Sequence, residues 1–139
     1  MSLVVPNVGD LLMLKFVTNF FDTDESAGPA GGDRLLRLFT NNLNPGKSTV
    51  IGDITEATES GYSDITLDGG TWTIATVSGV NSATYPIQTF TFTEEATVYG
   101  YYITTQGDSL LWVERFSDGP YVLPIDGGEV AVAPALNFN

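Results

Sequence analysis

Residues 84–105 read TYPIQTFTFTEEATVYGYYITT, a stretch in which aromatic and β-branched residues alternate with polar ones. Alternation with a period of two places successive side chains on opposite faces of an extended chain, as in a β-strand with one buried face. Glu94, Glu95 and Ala96 separate two such runs, 84–93 and 97–105. This stretch therefore predicts two consecutive β-strands and sets the fold class.

Runs of the same kind continue on both sides of this stretch. They lie at 34–40, 63–67, 71–77, 109–116, 121–125 and 129–136. Asp68-Gly69-Gly70 predicts a hairpin between the second and third of these runs, and Asp126-Gly127-Gly128 predicts that the last two pair with each other. About eight strands at this spacing indicate a mainly β fold, an antiparallel β-sandwich or a jelly-roll-like arrangement.

One domain is predicted for residues 1–139, because neither an internal repeat nor a linker-like segment interrupts the sequence. Its β body covers about 34–137, and one helix precedes it. Pro86, Pro124 and Pro134 cannot donate a hydrogen bond to a neighbouring strand, so they are expected at sheet edges, bulges or strand ends. Trp72 and Trp112 are expected in the core.

The N-terminal helix is predicted over about 10–21, with Asp10 as its N-cap. Lys15, Thr18 and Asn19 share one face, and nearly every other position is apolar. Such a helix needs cover on several sides, which predicts burial between subunits or against a partner. The residues expected at that interface are Leu11, Leu14, Phe16, Val17, Phe20 and Phe21.

Composition excludes several function classes. The chain has no Cys and no His, so it offers no thiolate nucleophile, no disulfide and no imidazole base or metal ligand. Its 17 acidic and 5 basic residues give a formal net charge of −12, which disfavours binding to nucleic acid and to anionic membranes. No signal peptide and no membrane span is predicted, so a soluble protein made inside a cell is expected.

One acidic segment resembles a calcium-binding loop. Its candidate oxygen ligands are Asp22, Asp24, Ser26 and Asp33. The pattern departs from that loop because Ala27 stands where glycine is required, Pro29 interrupts the segment, and an aspartate replaces the final glutamate. A solvated acidic loop is the favoured interpretation, so no metal and no other cofactor is predicted.

Carboxylate pairs and aromatic residues offer two further hypotheses. Asp108 with Glu114, and Glu94 with Glu95, are available for glycoside hydrolysis, but acidic residues in turns and at strand ends more often maintain solubility, and no enzyme is predicted. Aromatic side chains can form either a sugar-binding platform or a core and protein interface. Those considered are Trp72, Tyr85, Tyr99, Tyr101, Tyr102, Trp112 and Tyr121.

Several segments resemble small bacteriophage virion structural proteins over almost the full length. They are the opening MSLVVPNVG followed by an acidic residue and a leucine-rich helix, Thr55-Glu56-Ala57-Thr58, Ser60-Gly61-Tyr62, the strand 84–93, Leu111-Trp112 and the run from Glu114 to Tyr121. The resemblance implies a non-enzymatic capsid cement or decoration protein that binds the major capsid protein lattice and forms a homo-oligomer. A tail, fibre or baseplate component and a glycan- or receptor-binding module are the alternatives. The implied location is the virion, after synthesis in the host cytoplasm.

Overall fold

The computed structural model describes residues 7–20 and 33–138, and within them the fold is mainly β, as predicted. The elements in chain order are α1 (Asn7–Thr18), β1 (Arg34–Phe39), a 3-10 helix (Ile51–Asp53), β2 (Ile65–Leu67), a 3-10 helix (Gly69–Thr71), β3 (Thr73–Val77), β4 (Val80–Thr84), β5 (Gln88–Phe92), β6 (Ala96–Val98), β7 (Gly100–Thr104), β8 (Leu110–Arg115), β9 (Tyr121–Leu123), β10 (Gly128–Val132) and β11 (Ala135–Phe138). No helix among these residues combines the length and apolar character that a membrane crossing needs.

The strands form four antiparallel sheets. The largest has the order β2-β1-β7-β8, a second has the order β11-β4-β3, and β10 pairs with β5 and β6 with β9. Strands β9, β10 and β11 each pair with a strand from the middle of the chain, so the C-terminal quarter closes the sheets around the interior. This arrangement is sandwich-like, as the strand spacing predicted.

One hydrophobic core receives side chains from α1 and from all four sheets. Its fully buried members include Leu14, Leu36, Leu38, Leu67, Phe90, Phe92, Val98, Ile103 and Leu136. Trp72 is 3% exposed, as expected for a core residue, whereas Trp112 is only partly buried against this cluster. Pro86, Pro124 and Pro134 lie between strands rather than within them, which confirms their predicted places.

The predicted hairpin around Asp68-Gly69-Gly70 is wrong. Strand β2 pairs with β1, and β3 pairs with β4 through a tight turn at Ser78 and Gly79, whose φ angles are +52° and +80°. Asp68 is instead the N-cap of the 3-10 helix Gly69–Thr71, and its side chain accepts a hydrogen bond from the Gly70 N–H. A Cβ on Gly69 would lie 2.0 Å from the Asn19 carbonyl oxygen, so this glycine permits close contact with the end of α1.

The predicted pairing of the last two runs is also wrong. Strand β9 pairs with β6, while β10 pairs with β5 and β11 pairs with β4. The run 129–136 is divided at Pro134, and its two halves join different sheets. Turn residues reveal where the chain reverses but not which strand it meets next, because distant pairing depends on packing of the whole core.

Helix α1 begins at Asn7 and ends at Thr18, three residues earlier at each end than predicted. Asp10 is therefore a first-turn residue and not the N-cap, and its carboxylate accepts a hydrogen bond from the Asn81 side chain. The end is set by Asn19, which has a φ of +56°. The Asn19 N–H donates to the Phe16 carbonyl and the Phe20 N–H to the Lys15 carbonyl, the hydrogen-bond pattern of a Schellman motif.

Candidate functional site

The outer face of α1 presents a contiguous apolar surface, formed by Leu12, Met13 and Phe16. Their exposed fractions are 60%, 43% and 55%. Residues three and four positions apart are neighbours on a helix, so Phe16 lies beside both Leu12 and Met13. We call these three residues the outer helix face. Large apolar side chains grouped in this way favour a protein contact over free exposure to water.

The six residues predicted at an interface are divided between the two sides of the helix. Leu14 is fully buried in the core of its own chain, so its placement at an intermolecular interface is corrected. Leu11, Val17 and Phe20 are partly buried against the same core. Phe16 was predicted at the interface and belongs to the outer helix face. Phe21 lies outside the described residues.

Leu12 and Met13 belong to this surface but were not predicted. A helical wheel could have separated the two apolar sides, because Leu11, Leu14 and Thr18 recur at core spacing while Leu12 and Phe16 recur on another side. Because almost every position of the helix is apolar, composition alone does not distinguish the core-facing side from the outer side.

Arg34 fixes the helix to the β body. Its Nε donates to the Val17 carbonyl at 2.7 Å and its Nη2 to the Phe16 carbonyl at 2.6 Å, while its guanidinium lies 5.9 Å from the Phe16 ring centroid. Burial lowers the pKa of Arg34, although Asp33 acts in the opposite direction. A cation at the C-terminal end of a helix is also favoured by the helix dipole. The outer helix face is therefore carried on a firmly anchored element.

All three arginines are engaged within the chain. Arg37 forms ion pairs with the carboxylates of Glu56, Asp64 and Asp108, at 3.0, 3.7 and 3.0 Å. Arg115 donates to the Asn42 side chain and the Leu43 carbonyl and lies over the Tyr99 ring. Arg34 is buried beneath the helix. The arginines are thus held by groups of the same chain, and the net charge of −12 sets the acidic field that a partner meets.

Three of the four candidate calcium ligands, Asp22, Asp24 and Ser26, lie outside the described residues. Asp33 is described, and its Oδ1 accepts a hydrogen bond from the Gly69 N–H at 3.0 Å. Within residues 7–20 and 33–138, no group of three or more acidic residues is arranged to hold a metal ion.

The two carboxylates of the candidate pair Asp108 and Glu114 have separate partners. Asp108 binds Arg37, whereas Glu114 accepts a hydrogen bond from the Tyr101 hydroxyl at 2.7 Å. Arg37 and Tyr101 lie on opposite faces of the four-stranded sheet, because Arg37 is opposite Tyr102 in the register and successive residues alternate between faces. Asp108 and Glu114 therefore interact on different sides of the sheet and do not face each other across a cleft.

Glu94→Gln is expected to make the protein less sensitive to acid. The Ser60 N–H donates to the Glu94 carboxylate at 2.6 Å and lowers its pKa below the ordinary value of 4.5. This stabilisation is present above about pH 4.5 and is lost as the pH falls through the lower pKa of the folded state. The free energy of unfolding should therefore fall more steeply in the native protein than in the variant as the pH falls below about 4.5. Coincident pH profiles would contradict the contact.

Aromatic residues considered for a sugar platform are dispersed. Trp72 and Tyr85 contact each other edge to face, at 5.1 Å between ring centroids, and Tyr99 lies under Arg115. Tyr101 and Tyr121 are brought together by Phe116, which sequence reasoning did not single out. Phe116 directly follows β8, and nothing in the surrounding sequence indicates that its ring lies between two tyrosines.

The fold and site define a mainly β protein with an acidic surface and an exposed apolar helix face. No protein-family model matches the chain, and no curated protein or solved structure shows significant similarity to it.

Proposed function

We propose that this protein is a non-enzymatic structural component of a bacteriophage virion, a capsid cement or decoration protein that binds and stabilises the major capsid protein lattice. The observation that carries the proposal is the outer helix face, formed by Leu12, Met13 and Phe16 on a helix that the core and Arg34 hold in place. The resemblance to small virion structural proteins supplies the biological setting.

Burial of the outer helix face supplies the driving force for attachment. Fully burying a Leu, Met or Phe side chain is worth about 1.5–3 kcal/mol, and roughly half of each is still accessible here. The same face repeated around a symmetry axis gives many equivalent contacts, which suits a protein arranged on a lattice. A homo-oligomer formed on the shell is part of this proposal.

Charge adds selectivity for the partner. A net charge of −12 favours attachment to basic patches on the shell and opposes binding to nucleic acid or anionic membranes. The same charge keeps a densely displayed protein soluble. The partner is therefore a virion protein, in the first place the major capsid protein, and the protein reaches the virion after synthesis in the host cytoplasm.

Location in purified virions tests the assignment. Immunogold labelling and cryo-electron microscopy should find the protein at regular positions over the shell, and particles lacking it should break open at a lower temperature than complete particles. Detection only at tail tips, fibres or the baseplate would replace the cement assignment with the tail alternative. Absence from virions would end the proposal.

A further inference from the structure

A small pocket lies beside the four-stranded sheet at the end of β8, and none of the described residues of α1 lines it. Its volume is about 210 Å³, below the range of roughly 300–1,000 Å³ typical of sites for drug-sized ligands. The lining includes the aromatic residues Tyr101, Phe116 and Tyr121, and small alanine side chains between positions 131 and 135. A pocket of this size suits a single side chain better than an extended ligand.

The three aromatic rings lie next to one another. The Phe116 ring centroid lies 4.7 Å from that of Tyr121 and 6.2 Å from that of Tyr101, with tilted ring planes. Each ring face carries partial negative charge, which attracts a cation placed over it. These rings therefore offer an apolar surface that also favours positive charge.

Two carboxylates complete the pocket. The Tyr101 hydroxyl donates to Glu114 Oε2 at 2.7 Å, and the Tyr121 hydroxyl donates to Asp118 Oδ1 at 2.5 Å. In each carboxylate, one oxygen accepts this hydrogen bond and the other oxygen can still accept one. Among the described residues no basic side chain lines this pocket or forms an ion pair with Glu114 or Asp118.

Both phenols remain donors over the physiological range. Desolvation, followed by the hydrogen bond to Glu114, raises the pKa of Tyr101, and the hydrogen bond to Asp118 raises that of Tyr121. A protonated phenol orients its carboxylate partner and leaves the negative charge in place. The pocket thus contains two fixed negative charges beside aromatic rings.

We infer that this pocket binds the cationic side chain of a Lys or Arg residue on a partner protein. The inference rests on the proposed function for the identity of that partner, and it adds a second contact to the outer helix face. A cation can pair with the free oxygens of Glu114 and Asp118 and lie against the rings of Phe116 and Tyr121, whereas a neutral saccharide would leave both carboxylates without a cationic partner. The protein's net charge of −12 strengthens the preference.

The test is an NMR titration of the folded protein with three probes. Nα-acetyl-lysine methylamide should shift the backbone amide signals of residues around Phe116, Tyr121 and Ala133 in a saturable way, with a Kd on the order of 10 mM. The same probe carrying an acetyl group on Nζ keeps the shape and loses the charge, so it should cause no saturable shift. Methyl glucoside tests the saccharide alternative and should also leave these signals unchanged.

Paired variants make the assignment specific. Glu114→Gln with Asp118→Asn should weaken binding of the lysine probe about fivefold or more, because both charges are removed while the side-chain shapes are kept. The matched control, Glu95→Gln with Asp126→Asn, removes the same charge at exposed positions elsewhere and should change the Kd less than twofold. Circular dichroism confirms that both proteins are folded.

Several outcomes would overturn the inference: no saturable shift with the lysine probe, equal shifts with its acetylated form, binding of the glucoside alone, or equal weakening in the control pair. None of these results bears on the outer helix face. Attachment of the native protein to capsid shells would persist if the pocket inference failed and the proposed function held.

Discussion

Leu12→Gln combined with Phe16→Gln is expected to weaken attachment to capsid shells on the order of a hundredfold while the fold remains intact. The two side chains are 60% and 55% exposed, so their loss from an interface forfeits roughly 2–3 kcal/mol of apolar burial, and about 1.4 kcal/mol corresponds to tenfold in affinity. Glutamine is a good helix former and is uncharged, so helix stability and net charge are kept. Co-sedimentation with shells stripped of the protein measures the change.

The matched control is Ile87→Gln combined with Ile125→Gln. These isoleucines are 68% and 76% exposed and lie between strands, so the control removes a similar apolar area outside the helix. Both double variants should unfold within about 0.5 kcal/mol of the native protein, as exposed substitutions usually do. If the control lost binding equally, or the helix variant bound as the native protein does, the outer helix face would not be the attachment surface.

Leu14 shows why composition alone misjudged the helix. The sequence indicates an apolar helix that needs cover, and this is correct, but the cover on one side is supplied by the chain's own β body. Strands β3 and β4 and the 3-10 turn at Gly69 make that contact, and nothing local to α1 reveals them. Periodicity predicts that a face will be buried, whereas the identity of the covering surface depends on distant pairing.

For the strands, too, the sequence predicts local properties but not the pairing of distant segments. Fold class, the antiparallel arrangement and the places of the prolines follow from alternation and from the missing proline N–H, which are local properties. The predicted hairpin at 68–70 is wrong because Gly69 permits a close approach to Asn19. Turn-forming residues such as Asp and Gly fit both a hairpin and this contact, so the sequence does not distinguish them. The pocket at Tyr101 and Tyr121 forms through pairing of β7 with β8 and of β9 with β6, so no linear motif marks it.

Arg34 explains how a helix with an apolar outer face stays in one position. Among the described residues, Arg34 donates hydrogen bonds to two carbonyl groups in the last turn of α1. The last four carbonyl groups of an α-helix have no partner within the helix, so bonds of this kind stabilise its end. Because the side chain is fully buried, water cannot replace these bonds without opening the contact between helix and body. Display of Leu12, Met13 and Phe16 therefore depends on a residue that is hidden beneath them.

Arg34→Met is accordingly expected to lower the free energy of unfolding by about 2–3 kcal/mol. Methionine fills much of the same space, but the Phe16 and Val17 carbonyls lose their charged donors, and hydrogen bonds to charged groups are worth about 1.5–3 kcal/mol each. The variant also avoids the cost of burying a charge, which offsets part of that loss. The expected decrease in the free energy of unfolding is therefore smaller than the sum for two such hydrogen bonds. Chemical denaturation measures the stability, and hydrogen exchange of the helix amides locates the change.

Arg115→Met is the control for Arg34→Met, because it also removes an arginine but not one that holds helix α1. Arg115 also donates to a backbone carbonyl, that of Leu43, but it is partly exposed, so water can take its place and the cost should be about 1 kcal/mol or less. Helix amides should exchange faster in Arg34→Met alone, and shell attachment should weaken with them although the outer helix face is unchanged. Native stability with native helix protection in Arg34→Met would show that core packing around Leu14 holds the helix without the arginine.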